Sequence, residues 1–414
     1  MASPGTRRLN GSPVAGRAVA SLFAARAEDY TPSPIRAIFD LPLGPDDISL
    51  AGGNPDLSGL PWPELARLTD RILLDHGEEA LQYGATTGRL SLARAIVGEV
   101  MAAEGIEADP RELIVTSGSQ MSLNLIAGLF LDPGDTVLTE LPTYVGALHA
   151  FAGFQATVRQ LPRDTEGVRV DALVAAIRAA ADGGGRAKLL YVIPNFGNPT
   201  GMSMSEARRR EVAQICVAEG LLIVEDDPYG LIRFAGQRAE SLRMMAPEIV
   251  IHLGSMSKIF SPGLRVGWAD APAAVHERLV LAAESVTICP SVLGQFLAEA
   301  FLRELDWRAI VGAQVQRYRS RAGALMAGLE RAMPEGVSWT RPEGGFFTWL
   351  SLPDGVDSAE LMGRGIERGV LFVPGAAFHV DPAEGRSHLR LSFSSASEER
   401  LGEAARRLGA LIAG

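Results

Sequence analysis

Lys258 stands in the segment Gly254-Ser255-Met256-Ser257-Lys258, and Gly263-Leu264-Arg265 follows it closely. One amine is thereby surrounded by two hydroxyls and a guanidinium, the partner set for an aldehyde that carries a phosphate. The amine can close a carbon–nitrogen bond on such an aldehyde. Ser255 and Ser257 can donate to phosphate oxygens, and Arg265 adds a planar fork for a dianion. The pattern is short, and an exposed serine-rich turn with a solvated lysine reads the same way.

Other chemistries find less support. Six histidines (His76, His149, His252, His276, His379 and His388) lack both the i, i+4 pairing and the Cys/His clustering that metal sites need, so no catalytic metal is expected. No Gly-x-Gly-x-x-Gly or phosphate-loop motif occurs, and Gly183 to Gly185 reads as a flexible turn. The balance of 39 basic against 49 acidic residues gives a net charge of −10, without the basic stripe of a nucleic-acid surface. Small anionic ligands must then be captured locally. With 47% hydrophobic and 21% charged residues the composition is globular. No apolar run approaches the ~20 residues of a membrane span. The stretch from Ala18 to Ala25 lies behind Arg17 but runs straight into Arg26, Glu28 and Asp29, so no signal peptide is read and a cytoplasmic location is the default. Cys216 and Cys289 lie far apart without C-x-x-C spacing, which suits a reducing compartment.

The elements that must position this chemistry alternate along the middle of the chain. Short β-branched runs at 113–117, 135–140, 155–160, 188–193, 221–226, 249–254 and 265–269 are candidate strands. Helical patterns at 119–131, 171–182 and 205–219 fall between them. This α/β alternation predicts a mostly parallel sheet covered on both faces. Residues 1–45 read as an arm, an entry helix and part of a smaller domain, punctuated by Pro32, Pro34, Pro42 and Pro45. The large domain spans 46–304. From about Leu305 a long helix leads into a small α+β domain, 305–414, with strands at 346–350, 370–373 and 388–393.

In an open α/β sheet, ligands sit beyond the carboxyl ends of the strands. Reactive residue types recur at those ends. Ser117-Gly118-Ser119-Gln120 opens a helix, where free N–H groups bind phosphate and glycine permits close approach, although a simple serine cap has the same appearance. Glu140-Leu141-Pro142-Thr143-Tyr144 presents a ring that can stack on a planar heterocycle or fill the core. Pro194-Asn195-Phe196-Gly197-Asn198-Pro199-Thr200-Gly201 presents the Asn198 amide, a donor for a phenolic oxygen unless the turn is merely structural. Glu225-Asp226-Asp227-Pro228-Tyr229 ends a strand with carboxylates. One of them can keep a pyridine nitrogen protonated so that the ring acts as an electron sink, although acids after strands are often helix caps.

In order and spacing these motifs resemble those of the fold-type-I pyridoxal-phosphate aminotransferases, in particular the 2-aminoadipate aminotransferase branch, from about Ser33 to Phe393. The resemblance implies that the fold is that of the type-I PLP-dependent transferases and that pyridoxal 5'-phosphate is bound covalently at Lys258. It implies that Asp226 pairs with the pyridine nitrogen and that Asn198 with Tyr229 holds the phenolic oxygen. Gly118, Ser119, Gln120, Ser255, Ser257 and Arg265 would surround the phosphate, and Tyr144 would stack on the ring. By the same resemblance Arg390, in His388-Leu389-Arg390-Leu391-Ser392-Phe393, grips the substrate α-carboxylate, with Gly53 and Asn198 on the substrate side. Gln82-Tyr83-Gly84 is similar to the family loop that enters a neighbouring subunit, which implies a homodimer with Tyr83 at the partner's phosphate. Ser33-Pro34-Ile35-Arg36 resembles the N-terminal helix whose arginine meets a distal carboxylate, though Arg36 reads equally as a solvated helix residue.

The implied reaction is transamination between an L-amino acid and a 2-oxo acid, with the released Lys258 amine as the base at the α-carbon. Two departures bear on it. Gly197 stands where the branch usually carries glutamine, and Met121 where a second glutamine is common; either change can enlarge or dry the space beside the cofactor, and two neutral substitutions read the same way. A lyase, γ-replacement or annulation enzyme is therefore the alternative. A ligand-sensing domain of a regulator is a third reading, disfavoured because only about 30 residues precede the matched region.

Overall fold

Alternating short aliphatic runs and amphipathic helices along the chain become a single covered sheet. The computed structural model describes residue 19 and residues 21–32, 34–39 and 41–414. The first part of the arm, Ser33, and Ala18 with Ala20 in the short apolar stretch lie outside the described residues.

Seven strands form the large sheet: β1 (Leu113–Thr116), β2 (Thr136–Glu140), β3 (Thr157–Leu161), β4 (Ala187–Val192), β5 (Leu222–Asp226), β6 (Val250–Ser255) and β7 (Gly267–Asp270). Their spatial order is β1-β7-β6-β5-β4-β2-β3. Strand β7 runs antiparallel between β1 and β6, and the remaining pairs are parallel. Each expected strand of this sheet falls within two residues of an observed one. The central strands are nearly continuous runs of buried residues because helices cover both faces.

Those helices start and stop where local chemistry dictates. In Glu206–Glu219, the Ser205 hydroxyl accepts from the Arg208 N–H, and Gly220 ends the helix in the left-handed region at φ 62°. Helix Ser119–Phe130 has no such side-chain cap, since Gly118 precedes it. Met121 donates its N–H to the Gly118 carbonyl at 2.9 Å, and the N–H groups of Ser119 and Gln120 before it precede the first intrahelical acceptor.

A second, antiparallel sheet joins β8 (Ser338–Trp339), β9 (Phe347–Ser351), β10 (Val373–Pro374) and β11 (His388–Ser392) in the order β8-β9-β11-β10. Helices Trp307–Ala332 and Glu398–Ala413 pack along each other beside it. The early chain is tied to this late sheet. Ile48–Ser49 pairs in parallel with Val370–Leu371, Ser392 donates its N–H to the Leu50 carbonyl at 2.8 Å, and Ser394 Oγ donates to the Asn54 carbonyl at 2.7 Å. Residues 50–54 are thereby carried across to the carboxyl edge of the large sheet. Among the described residues no helix is long and apolar enough to cross a membrane.

Candidate active site

A cleft of about 720 Å³ opens at that edge, where the two sheets meet. Every parallel strand presents its carboxyl end there, so residues distant in sequence converge by topology alone. Ser119 and Gln120 follow β1, Tyr144 follows β2, Asn198 follows β4, Asp226 closes β5, and Ser257 and Lys258 follow β6; all line the cleft with Ser255, Tyr229 and Arg265. The second sheet contributes Arg390 from the middle of β11 and Phe347 from β9, and the crossing segment contributes Gly53. Arg36, exposed on helix Pro34–Phe39, stands at the rim with Ile35.

The anion-binding end is built from backbone as much as from side chains. Gly118 has φ 85°, and a Cβ there would lie 2.4 Å from the Arg265 guanidinium. Gly267, on antiparallel β7, runs so close under the Ser119 N–H that a Cβ would sit 2.6 Å from it. Only glycine serves at either position. Arg265 itself is held at φ 54°, a conformation that costs a non-glycine residue about 1 kcal/mol, and its guanidinium donates to the Ser117 carbonyl at 3.1 Å. Ser255 Oγ donates to Ser257 Oγ at 2.8 Å, which leaves the Ser257 hydrogen to point onward. Helix N–H groups, hydroxyls and a guanidinium facing one space form a phosphate cradle.

Lys258 donates from Nζ to the Gly53 carbonyl at 3.0 Å. Burial, reinforced by the neighbouring Arg390 and Arg265 charges, pushes its ammonium down to about 8. About a tenth of the amine is therefore neutral at pH 7, far more than for an ordinary lysine, and the neutral form is the nucleophile. Asp226 is 3% exposed. Oδ2 accepts from the Tyr191 hydroxyl at 2.7 Å, while Oδ1, equally buried, has no partner among the described residues. Burial raises its carboxyl to about 6, against the pull of the Tyr191 bond and the Lys258 charge. Arg390 is 2% exposed; Nη1 donates to Asn198 Oδ1 at 2.9 Å, the guanidinium carbon lies 4.2 Å from the Phe347 ring centroid, and Nε has no partner among the described residues. Burial pushes its pKa down to about 10, so it remains a cation. Lys258, Arg265, Arg390 and Arg36 line the cleft against one carboxylate, Asp226, which answers how a chain of net charge −10 captures anions.

An orphaned carboxylate oxygen, a partly neutral lysine amine and a phosphate cradle, set around one flat space, fit pyridoxal phosphate. Among the described residues no group of three or more His, Cys, Asp and Glu could hold a metal ion. Gln120 uses its amide to donate to the Gly146 carbonyl at 2.9 Å, and the Tyr144 ring leans on Gly146, where a Cβ would come within 2.4 Å of it. The two departures lie elsewhere. The Cβ direction at Gly197 points 3.2 Å from the Ile193 carbonyl inside its own turn, and Met121 packs against the core; neither lines the cleft. Tyr83 is 75% exposed and outside the cleft of its own chain. Tyr191, His149, Gly146 and Phe347 escaped the sequence reading. Tyr191 alone carried a signal, a phenol that follows Leu189 and Leu190 in a buried strand and needs a partner there.

The comparisons agree with this geometry. The family model described as aminotransferase class I and II matches residues 45–408. The 2-aminoadipate transaminase of Thermus thermophilus is 38% identical over 387 residues, 92% of this chain and 94% of that protein. Aromatic-amino-acid aminotransferase 1 of Thermococcus litoralis is 35% identical over 391 residues, 94% of each. A crystal structure of the Pyrococcus horikoshii kynurenine aminotransferase, in complex with PMP, superposes with a TM-score of 0.89 at 34% identity, covering 95% of this chain and 98% of that one. The chain belongs to the class I and II aminotransferases and is a pyridoxal-phosphate-dependent transaminase of fold type I.

Proposed function

We propose that the chain transfers the amino group of acidic or aromatic L-amino acids to a 2-oxo acid, with the cleft residues in the following roles. Lys258 bonds the cofactor and, once displaced by substrate, moves the proton at the substrate α-carbon. Asp226 holds a proton on the ring nitrogen through Oδ1. Asn198 and Tyr229 hold the phenolic oxygen, and Tyr144 lies over the ring. Gly118, Ser119, Gln120, Ser255, Ser257 and Arg265 hold the phosphate. Arg390, backed by Asn198 and close to Gly53, takes the α-carboxylate. When bound, the cofactor supplies an aldehyde for the amino group and a ring that withdraws electrons from the α-carbon. The observation that carries this reading is the pairing of one unpartnered buried carboxylate oxygen with a lysine whose ammonium is pushed down to about 8, in a single cleft.

Two features support the substrate class. Arg36 lines the cleft with a cation suited to a distal carboxylate, and Ile35 and His149, which also line it, suit a ring. The names of the relatives, which span 2-aminoadipate and aromatic amino acids, agree. A homodimer is supported by the exposed apolar side chains Leu74, Leu81, Tyr83, Val286 and Ile288. The Tyr83 and Ile288 loops are tied together by the Thr86 hydroxyl, which donates to the Ile288 carbonyl at 2.8 Å. A second copy seated on this face would bury its apolar area and bring Tyr83 toward the partner's phosphate, which supports the dimer reading. The free cysteines Cys216 and Cys289 suit a cytoplasmic setting.

Borohydride reduction of the loaded protein followed by peptide mapping tests the assignment. The reduced adduct is expected on Lys258, and an unmodified Lys258 peptide from fully yellow protein overturns it. Arg36→Ala should weaken glutamate and 2-aminoadipate far more than leucine; equal losses would remove Arg36 from substrate recognition.

A further inference from the structure

We propose that Tyr191 is the positioning residue that makes Asp226 a one-sided acceptor. The Tyr191 hydroxyl occupies one carboxylate oxygen and leaves the other as the only acceptor for the cofactor's ring nitrogen. The inference rests on the cofactor reading above.

Strand register brings the two together. Tyr191 on β4 sits opposite Val224 on β5, and Asp226 lies two residues further along the same face. A diagonal neighbour at that spacing is within reach of a side chain as long as tyrosine. The ring is fully buried and fixed edge-on against Phe151, with centroids 5.9 Å apart. The hydroxyl therefore has no water to turn to, and its hydrogen goes to Asp226 Oδ2 at 2.7 Å. Burial and the adjacent carboxylate push the phenol pKa well up, so the hydroxyl stays protonated and donates at every working pH.

This bond does two things that packing alone does not. It fixes the rotation of the carboxylate, so that Oδ1 has a set direction. It also favours the charged form, because a hydrogen bond given to an anion stabilises the anion over the acid. The other groups that face Asp226 are its neighbour Asp227, His252 on β6, Lys258 in the turn after β6, Tyr144 after β2, and Tyr229 after β5. Asp227 opposes ionisation, while His252 and Lys258 favour it from their own strand and turn. Tyr191 is the one bonded directly to the carboxylate. Without it, the proton between ring nitrogen and Asp226 shifts toward the carboxylate, and the ring becomes a weaker acceptor of electrons.

The test compares the wild-type protein with Tyr191→Phe, which removes the hydroxyl and keeps the ring. Loaded with cofactor labelled with ¹⁵N in the ring, the wild type should give the resonance of a protonated nitrogen. In Tyr191→Phe the resonance should move toward the unprotonated position. The dissociation constant of pyridoxal phosphate from the apo-protein should rise about tenfold, the loss of one hydrogen bond to a charged group. Turnover should fall by a similar factor with little change in KM for the amino acid. An unchanged ring-nitrogen resonance together with an unchanged dissociation constant in Tyr191→Phe overturns the inference. Should Tyr191→Phe not fold, Tyr191→Met, which also removes the hydroxyl while filling the buried space, is measured instead. A shift of the resonance toward the unprotonated position in that variant supports the role, and an unchanged resonance despite normal cofactor loading contradicts it. A wild-type protein that takes up no cofactor would instead overturn the functional reading.

Discussion

Glu225 and Asp226 are adjacent residues on one strand, both fully buried carboxylates, and they occupy opposite faces of the sheet with opposite consequences. Glu225 is saturated: it accepts from the Ser241 hydroxyl at 2.6 Å and from the N–H groups of Leu242 and Arg243 at 3.0 and 2.9 Å, and His252 lies 3.5 Å away. Although burial pushes its carboxyl up, the His252 imidazolium and these donors hold it at about 2. Asp226 has one donor and one vacant oxygen, and stays at about 6. The reading of acids after strands as helix caps is thus correct for Glu225, which caps helix Leu242–Met245. The arginines repeat the contrast. Arg243 is spent on a paired fork with Asp270, Nε to Oδ2 at 2.8 Å and Nη2 to Oδ1 at 3.2 Å, whereas Arg390 keeps Nε unpartnered. Glu225 and Arg243 have their bonds made within the fold, whereas Asp226 and Arg390 keep unpartnered atoms that line the cleft.

The comparison can be broken by substitution. Lys258→Ala should show the largest effect, a loss of turnover of roughly 10³–10⁴-fold with no borohydride adduct, since the same amine is both anchor and base. Residual activity near wild type would remove Lys258 from the chemistry. Next, Asp226→Ala should cut turnover by about 10²–10³-fold, as for the loss of one electrostatic stabiliser, while leaving the melting temperature near wild type. Glu225→Gln should do the reverse. It unsatisfies a cap and a buried ion pair, costs about 2–4 kcal/mol of stability, and leaves turnover per bound cofactor unchanged. A Glu225→Gln protein that melts normally but turns over slowly would invert the contrast.

Arg390→Ala against Arg243→Ala sharpens the same point at smaller scale. The first should raise KM by about 10–100-fold, the worth of a charge-assisted carboxylate contact, and the second should lower thermal stability with KM unchanged. The smallest effect is in pH. Despite burial, Glu225 raises the His252 imidazolium to about 9. Since this folded value exceeds the ordinary histidine value of about 6.5, the pair's stabilisation is complete below that pH and disappears as pH rises through about 9. Lys258 is shifted the other way, so the apo-protein regains stability from it as pH climbs from about 8 toward the ordinary lysine range. Apo-protein melting curves between pH 7 and 10 should therefore fall less steeply in wild type than in Lys258→Met. Parallel curves would show that the Lys258 ammonium is not buried at a cost.

The sequence by itself determined the alternation of elements and the residue types at the strand ends. Strand and helix periods are local properties, and in a parallel sheet each carboxyl end must face the same edge, so motifs far apart in the chain could be assigned to one cleft. Tertiary structure alone decided which members of those motifs are spent and which are available. Whether Glu225 or Asp226 faces a helix end or the cleft depends on strand parity and on what packs against each face. That Tyr191 is a donor to Asp226 depends on the register between two strands 30 or so residues apart in the chain. The fate of Gly197 depends on the direction of a Cβ that it lacks. Each of these is a three-dimensional matter of orientation and partner count, and residue identity carries neither.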